Sequence, residues 1–392
     1  MNNQFDPKVN PPALYIHWPF CPYKCNFCPF VAIAGHDAYM EQYHNALCAE
    51  IEEFFKSRNA STDVKTIFIG GGTPSTYPEH LLEDLFIRMG SYITNVPDIE
   101  ISLEVNPGTV NLEKLHTWKR IGINRLSIGV QSINQDILHK LGRFQNTSDV
   151  MWLLEHASSL FDRISIDLIL GLPGIEPEAW YNTIEKVVAW PIKHISIYFL
   201  TIHENTPLFF HVKKGLVDIP ADIQVTQLYG WTIERLERAG FKQYELSNFA
   251  RSGYECQHNQ MYWGRQPYKG FGIGACSFDG KKRMSNQKNL IKYINACQSA
   301  HIESTNIDFC EILTESQEYI ETLMLGMRRA QGVPYEYIQQ NAPGISRDVM
   351  DNRIKKLCDL YFITIDNNIV RLTPKGLMVE NQVILELIKD IE

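Results

Sequence analysis

The stretch Tyr15-Ile16-His17-Trp18-Pro19-Phe20-Cys21-Pro22-Tyr23-Lys24-Cys25-Asn26-Phe27-Cys28 sets three thiols at C-x3-C-x2-C spacing. Three thiolates hold three irons of a [4Fe–4S] cube and leave the fourth iron open to a small molecule. Zinc is the rival metal, but structural zinc sites favour C-x2-C pairs and a fourth ligand of the same kind. The remaining cysteines, Cys48, Cys256, Cys276, Cys297, Cys310 and Cys358, are scattered and form no second pair. Three unrelated core thiols are the bland alternative. Pro19 and Pro22 argue against a helix and for a loop, which can fold its sulfurs around one point.

Leu14–His17, just before that loop, is the first of six short β-rich runs. The others are Val64–Ile69, Ile99–Val105, Asn124–Val130, Ile164–Leu170 and His194–Leu200. Amphipathic segments such as Ala38–Lys56 and His80–Ile93 lie between them. Repeated strand–helix units predict an α/β fold with a parallel sheet and right-handed crossovers, an open or closed β/α barrel. The distinctive residues cluster at the C-terminal ends of these runs, the face on which β/α proteins build sites. The second run enters Gly70-Gly71-Gly72-Thr73-Pro74, the third ends in Glu104-Val105-Asn106-Pro107, and the fourth in Gly129-Val130-Gln131-Ser132. The fifth carries Asp167 and ends in Gly171-Leu172-Pro173-Gly174.

Past residue 205 the pattern changes: Gln243–Ala250 reads as extended and Cys256–Phe278 is dense in distinctive residues. Toward the end, Ile354–Thr364 and then Ile369–Gly376 read as a helix followed by a hairpin, which resembles a winged helix. The expected division is a tail at 1–13, a barrel core at 14–205, a barrel extension at 206–305 and a small helical, winged-helix-like domain at 306–392.

Of the 392 residues, 44% are hydrophobic and 21% charged, as in soluble globular enzymes. The net charge of −8 disfavours a general nucleic-acid binder, so the winged-helix-like end reads as a packing module. No apolar run is long enough to span a membrane, and Met1–Pro12 lacks the apolar core of a signal peptide. The cysteines therefore read as cytosolic thiols, and a cytoplasmic protein is expected.

The cysteine loop resembles that of the radical S-adenosylmethionine (SAM) superfamily. The resemblance implies a partial (β/α)6 barrel in which Cys21, Cys25 and Cys28 ligate the cluster. SAM would chelate the open iron, and one electron would break its sulfonium C–S bond to release a 5′-deoxyadenosyl radical. It further implies that the turn at Gly71, Gly72 and Thr73 contacts the methionine amino group, where the plain reading is an ordinary tight turn. Glu104 and Asp167 are acids in apolar strands, and a buried carboxylate is costly unless paired. A cationic ligand such as SAM would explain both, as would a salt bridge to Arg125. Gln131 and Arg143 stand where the family places ribose and carboxylate contacts. The equivalent of Tyr15 borders the SAM site in the family, and otherwise reads as a core tyrosine. Phe27 shields the cluster or packs near adenine.

Within the superfamily, Y-I-H-x-P-F-C-x3-C-x2-C together with His258-Asn259-Gln260-Met261-Tyr262-Trp263 resembles the HemN/HemW group, from Tyr15 to about Ser277. Its dehydrogenases carry a further cysteine two residues after the third ligand, where this chain has Phe30. Its haem chaperones carry H-N-x2-Y-W, so the nearer likeness is to the chaperones. On that likeness His258 is the expected haem ligand. A hydrogen-bonded structural histidine is the plain alternative, and Cys256 a second candidate. Pro29, Gln145 and Cys276 depart from the family's usual acid, histidine and histidine. The expected function is a haem chaperone carrying a [4Fe–4S] cluster and SAM. Its expected partners are haem, a respiratory acceptor protein, and a flavodoxin- or ferredoxin-type electron donor. The alternatives are oxidative decarboxylation of coproporphyrinogen III and a haem-modifying methyl transfer.

Overall fold

The computed structural model describes residues 4–58, 63–93 and 98–391. Six strands lie parallel in chain order: β1 (Ala13–Trp18), β2 (Thr66–Gly71), β3 (Glu100–Val105), β4 (Arg125–Gln131), β5 (Arg163–Leu170) and β6 (His194–Phe199). They match the six β-rich runs to within two residues at each end. Side chains alternate between the two faces of a strand. On the outer face Ile67, Ile69, Ile101, Leu103, Leu126, Ile128, Ile164, Ile166, Ile195 and Ile197 are all 7% exposed or less. Each such side chain contributes roughly 1.5–3 kcal/mol by leaving water. The crossover helices, Met40–Lys56, Glu79–Gly90, Leu112–Arg120, Thr147–Ser158 and Pro177–Val187, supply the other wall of this core. On the inner face the alternate residues are largely polar. Glu104, Arg125, Ser127, Asp167, His194 and Ser196 line an interior chamber.

The sheet continues on both sides. Beyond β6 come the antiparallel strands β7 (Lys242–Glu245) and β8 (Asn248–Ala250). Beyond β1 lie β9 (Tyr268–Phe271), parallel to it, then β10 (Cys276–Phe278), β11 (Lys282–Asn286) and β12 (Ile307–Ile312). The order is β12-β11-β10-β9-β1-β2-β3-β4-β5-β6-β8-β7, with β12 and β7 at opposite edges. The expected partial barrel is therefore present as an open, extended sheet.

One expected boundary needs correction. Strand β12 pairs with β11 from Ile307↔Asn286 to Ile312↔Lys282, so the main sheet runs past residue 306. The N-terminal tail packs onto the main core. Met1–Asn3 lie outside the described residues, but Phe5 is 1% exposed, packs edge-on against Phe54 at 5.7 Å, and sits under the Arg58 guanidinium.

The C-terminal unit has its own apolar core around Leu323, Ile338, Met350, Ile354 and Val370. Helices Glu315–Met327, Tyr335–Gln340 and Arg347–Asp359 precede a hairpin of Ile363–Asp366 and Ile369–Leu372, the winged-helix-like pattern. Asn367 and Asn368, both at positive φ (48° and 63°), make its two-residue turn, a conformation asparagine tolerates better than most residues. Among the described residues no helix is long and apolar enough to cross a membrane.

Candidate functional site

Strand β1 delivers the chain to Pro19, and the cysteine loop then closes on itself. Phe20–Cys21 pairs with Ile33–Ala34. Asn26 fixes the loop from outside: its N–H donates to the Leu141 carbonyl (2.9 Å) and its Nδ2 to the Lys140 carbonyl (3.0 Å). Its own carbonyl accepts from the Leu208 N–H (2.9 Å). Cys21, Cys25 and Cys28 all line one cavity of about 390 Å³ at the C-terminal ends of the strands. Burial pushes the Cys21 thiol up to about 11 and raises Cys28, so metal binding here must release protons.

The Gly71–Thr73 turn forms the adjoining wall. A Cβ on Gly72 would fall 2.4 Å from the Pro19 carbonyl oxygen and 2.8 Å from Cys21 Sγ, so only glycine fits there. Gly71, at φ +122°, requires glycine's conformational freedom. Its N–H donates to Glu104 Oε2 (3.0 Å), and Thr73 Oγ1 donates to Cys21 Sγ (3.2 Å). Opposite stand Glu104 and Asp167. Burial, reinforced by Asp167, pushes the Glu104 carboxyl up to about 8. Burial also raises Asp167, which accepts from Ser127 Oγ at 3.0 Å. Neither acid forms an ion pair among the described residues. Arg125, the alternative counter-ion, instead donates to the Tyr254 carbonyl (3.4 Å).

Arg143 reaches the same cavity from the segment after β4. Its Nε donates to Gln145 Oε1 (2.9 Å) and its Nη2 to Asn106 Oδ1 (3.0 Å) and to the Gly129 carbonyl. Its Nη1 faces Cys25 Sγ at 3.8 Å. The guanidinium is thus rigidly held and adds positive charge beside a thiol. Gln131 sits at φ +64° where the β4–β5 register shifts, which turns the strand end toward the cavity. Phe27 lines it from the cysteine loop. A [4Fe–4S] cube with SAM suits this donor set: three thiols lining one cavity, a wall without side chains, and two buried acids that form no ion pair among the described residues.

Two expected site residues lie elsewhere. Tyr15 is below the cavity, facing the interior chamber, where its hydroxyl bonds His17 Nδ1 (2.9 Å) and its ring lies against Phe68. His258 does not fit an axial haem ligand. It is 0% exposed, its Nδ1 is bonded to Thr66 Oγ1 and its Nε2 to the Tyr262 hydroxyl (both 2.8 Å), and burial drives its pKa down to about 3. Cys256 is equally buried, beside Glu100. Thr66 opens β2, so this histidine sits at the N-terminal floor of the barrel, away from the thiols. The rest of its motif is a brace. Trp263 lies 4.0 Å under the Arg328 guanidinium, which also pairs with Glu245 (3.1 Å) and so docks the C-terminal unit.

Sequence reasoning noted Asn106 only as part of a strand end, gave it no role, and passed over Tyr198, Phe199 and His203; all four line the cavity. Asn106 follows β3 directly, and Tyr198 and Phe199 end β6, so position at a strand's C-terminal end was the usable signal.

Residues 15–187 match the Radical SAM superfamily and residues 313–379, starting just after β12, the HemN C-terminal domain. A haem chaperone HemW of Bacillus subtilis is 32% identical over 373 residues, covering 95% of this chain and 97% of that protein. A haem chaperone HemW of Synechocystis is 34% identical over 332 residues, 83% of this chain and 80% of that one. The structure of Escherichia coli coproporphyrinogen III oxidase HemN, described as a radical SAM enzyme, superposes with a TM-score of 0.81 at 25% identity, covering 97% of this chain and 91% of that one. Similarity of this degree along nearly the whole length places the chain in the HemW family of the radical SAM superfamily.

Proposed function

We propose that this protein is a haem chaperone that binds haem at the mouth of the thiol-lined cavity and hands it to an acceptor protein. The observation that carries the reading is the apolar rim of that cavity. Phe30 is 64% exposed and Tyr198 42%, beside Phe199, and large aromatic faces left in water at a cavity mouth mark a binding surface. The names of the curated relatives agree with it. Cys21, Cys25 and Cys28 are proposed to hold the cluster, with Gly71, Gly72, Thr73, Glu104, Gln131, Arg143 and Asp167 around SAM.

When bound and reduced by one electron, the cluster with SAM supplies a carbon-centred radical. The chain's own part is positional. Glu104 and Asp167 offer carboxylates to ammonium and hydroxyl groups, and Gly72 admits a close neighbour. Arg143 offsets thiolate charge, and Phe27 limits water. A flavodoxin- or ferredoxin-type donor and a respiratory acceptor are the partner classes that this reading requires.

Haemin titration of anaerobic, cluster-loaded protein tests the proposal: a saturable Soret band is expected, and its absence sinks the carrier reading. Decarboxylation of coproporphyrinogen III is the second reading, favoured by the full-length likeness to HemN. Vinyl product formed from coproporphyrinogen and SAM by the same preparation would establish it in place of the first.

A further inference from the structure

We propose that His203 is the axial ligand of the haem iron. The inference rests on the haem-carrier reading and names the atom-level contact within it. Three imidazoles line the two connected cavities: His194 and His258 in the interior chamber, and His203 at the mouth. The first two are spent. His194 bonds Ser165 Oγ and the Tyr244 hydroxyl, both at 2.7 Å, and is 1% exposed, while His258 is bonded through both ring nitrogens at the barrel floor. His203 differs in each respect. It is exposed, and its ring has no hydrogen bond or ion pair among the described residues.

Its backbone, by contrast, is held: the carbonyl of His203 accepts from Thr206 Oγ1 at 2.7 Å, in the turn that caps helix Pro207–Lys213. A fixed backbone with an unengaged imidazole is what an iron ligand needs. A neutral imidazole nitrogen must be free to donate its lone pair, and a site that does not move loses less entropy on binding. The flanking groups suit the rest of the ligand. Phe30 and Phe199 offer aromatic faces to the porphyrin, and Lys24, exposed on the same rim, suits a propionate. Haem seated on His203 would cover the opening of the thiol-lined cavity.

The test uses anaerobic, cluster-loaded protein with matched iron and sulfide content, so that free thiols do not compete for haem. Haemin is titrated into the parent, His203→Ala, His203→Gly and His211→Ala, and followed by Soret absorption and EPR. The parent should bind one haem with a histidine-ligated spectrum. His203→Ala should shift the Soret band and weaken binding by about tenfold or more. Added imidazole should restore the parent spectrum in His203→Gly, and His211→Ala, on the adjoining helix, should match the parent. An unchanged spectrum and affinity in His203→Ala would overturn the assignment while leaving the carrier reading intact. Failure of the parent to bind haem would overturn both.

Discussion

Glu100 and Glu104 stand four residues apart on one strand and meet opposite conditions. Glu100, at the floor, accepts from the N–H groups of Gln257 (3.1 Å) and His258 (3.0 Å) and the Cys256 thiol (3.5 Å), with Arg163 at 3.6 Å. Glu104, at the mouth, has a single donor among the described residues, the Gly71 N–H, and burial with Asp167 nearby pushes its carboxyl up to about 8. Both are acids in an apolar strand, so sequence alone makes them alike. The count of donors separates them: an acid whose lone pairs are satisfied by its own chain holds the fold, and one left short is waiting for a ligand. The imidazoles divide the same way, with His258 saturated at the floor and the His203 ring without a partner among the described residues at the mouth.

The sharpest break between the two ends should come from the thiols. Cys25→Ala leaves two sulfurs for a cube that needs three, so reconstituted protein should lose nearly all cluster iron and sulfide. Its thermal melt should stay close to that of the cluster-free parent, since Cys25 contributes to no apolar core. A variant with full iron and sulfide content would show that the convergence of these three sulfurs is not what holds the metal.

Next in size is the contrast between the two glutamates. Glu100→Ala strands two backbone N–H groups and a guanidinium, and is expected to cost about 3–5 kcal/mol in urea unfolding at pH 7. Glu104→Gln should cost nothing, or raise stability, in the same measurement, because at that pH folding must protonate the parent carboxyl and glutamine needs no proton. Equal losses would erase the distinction between floor and mouth. His258→Phe lies between them. It removes partners from Thr66 and Tyr262, for about 1–3 kcal/mol of destabilisation, yet should leave the haem spectrum as in the parent.

This histidine also marks where the sequence stops being legible. The six strands, the cysteine loop and the Gly-Gly-Thr turn are local patterns. Period-two alternation and glycine at a steric limit write them into consecutive residues, so they are read directly. His258 depends on Thr66, 192 residues away, and on the Tyr262 hydroxyl, and neither hydrogen bond leaves a trace in local pattern. Its polar motif looked like a site because buried brace and ligand share the same residue types. His203 was missed for the converse reason: it belongs to no dense motif, and only folding sets it beside Phe30 and Phe199. Likewise β12 reads as the start of a new domain until its pairing with β11 is seen.

The smallest expected effect is the most specific to Glu104. In the ligand-free fold its carboxyl titrates near 8 rather than at its ordinary 4.5, so the unfolded chain releases this proton first as pH rises. This group's contribution to stability is therefore greatest below about 4.5 and is lost progressively as pH climbs through 8. A cationic ligand reverses the preference by favouring the carboxylate. SAM binding near neutrality should then expel a proton, and its dissociation constant should fall by up to about tenfold for each unit that pH rises toward 8, levelling above it. Calorimetric titration between pH 6 and 7.5 in buffers of different ionisation enthalpy measures both quantities. Repeating it on Glu104→Gln separates the carboxylate from the ligand's own amino group, which titrates equally in both proteins. If parent and variant share one slope, the proton on Glu104 is not linked to the ligand, and the mouth of the barrel is as self-sufficient as its floor.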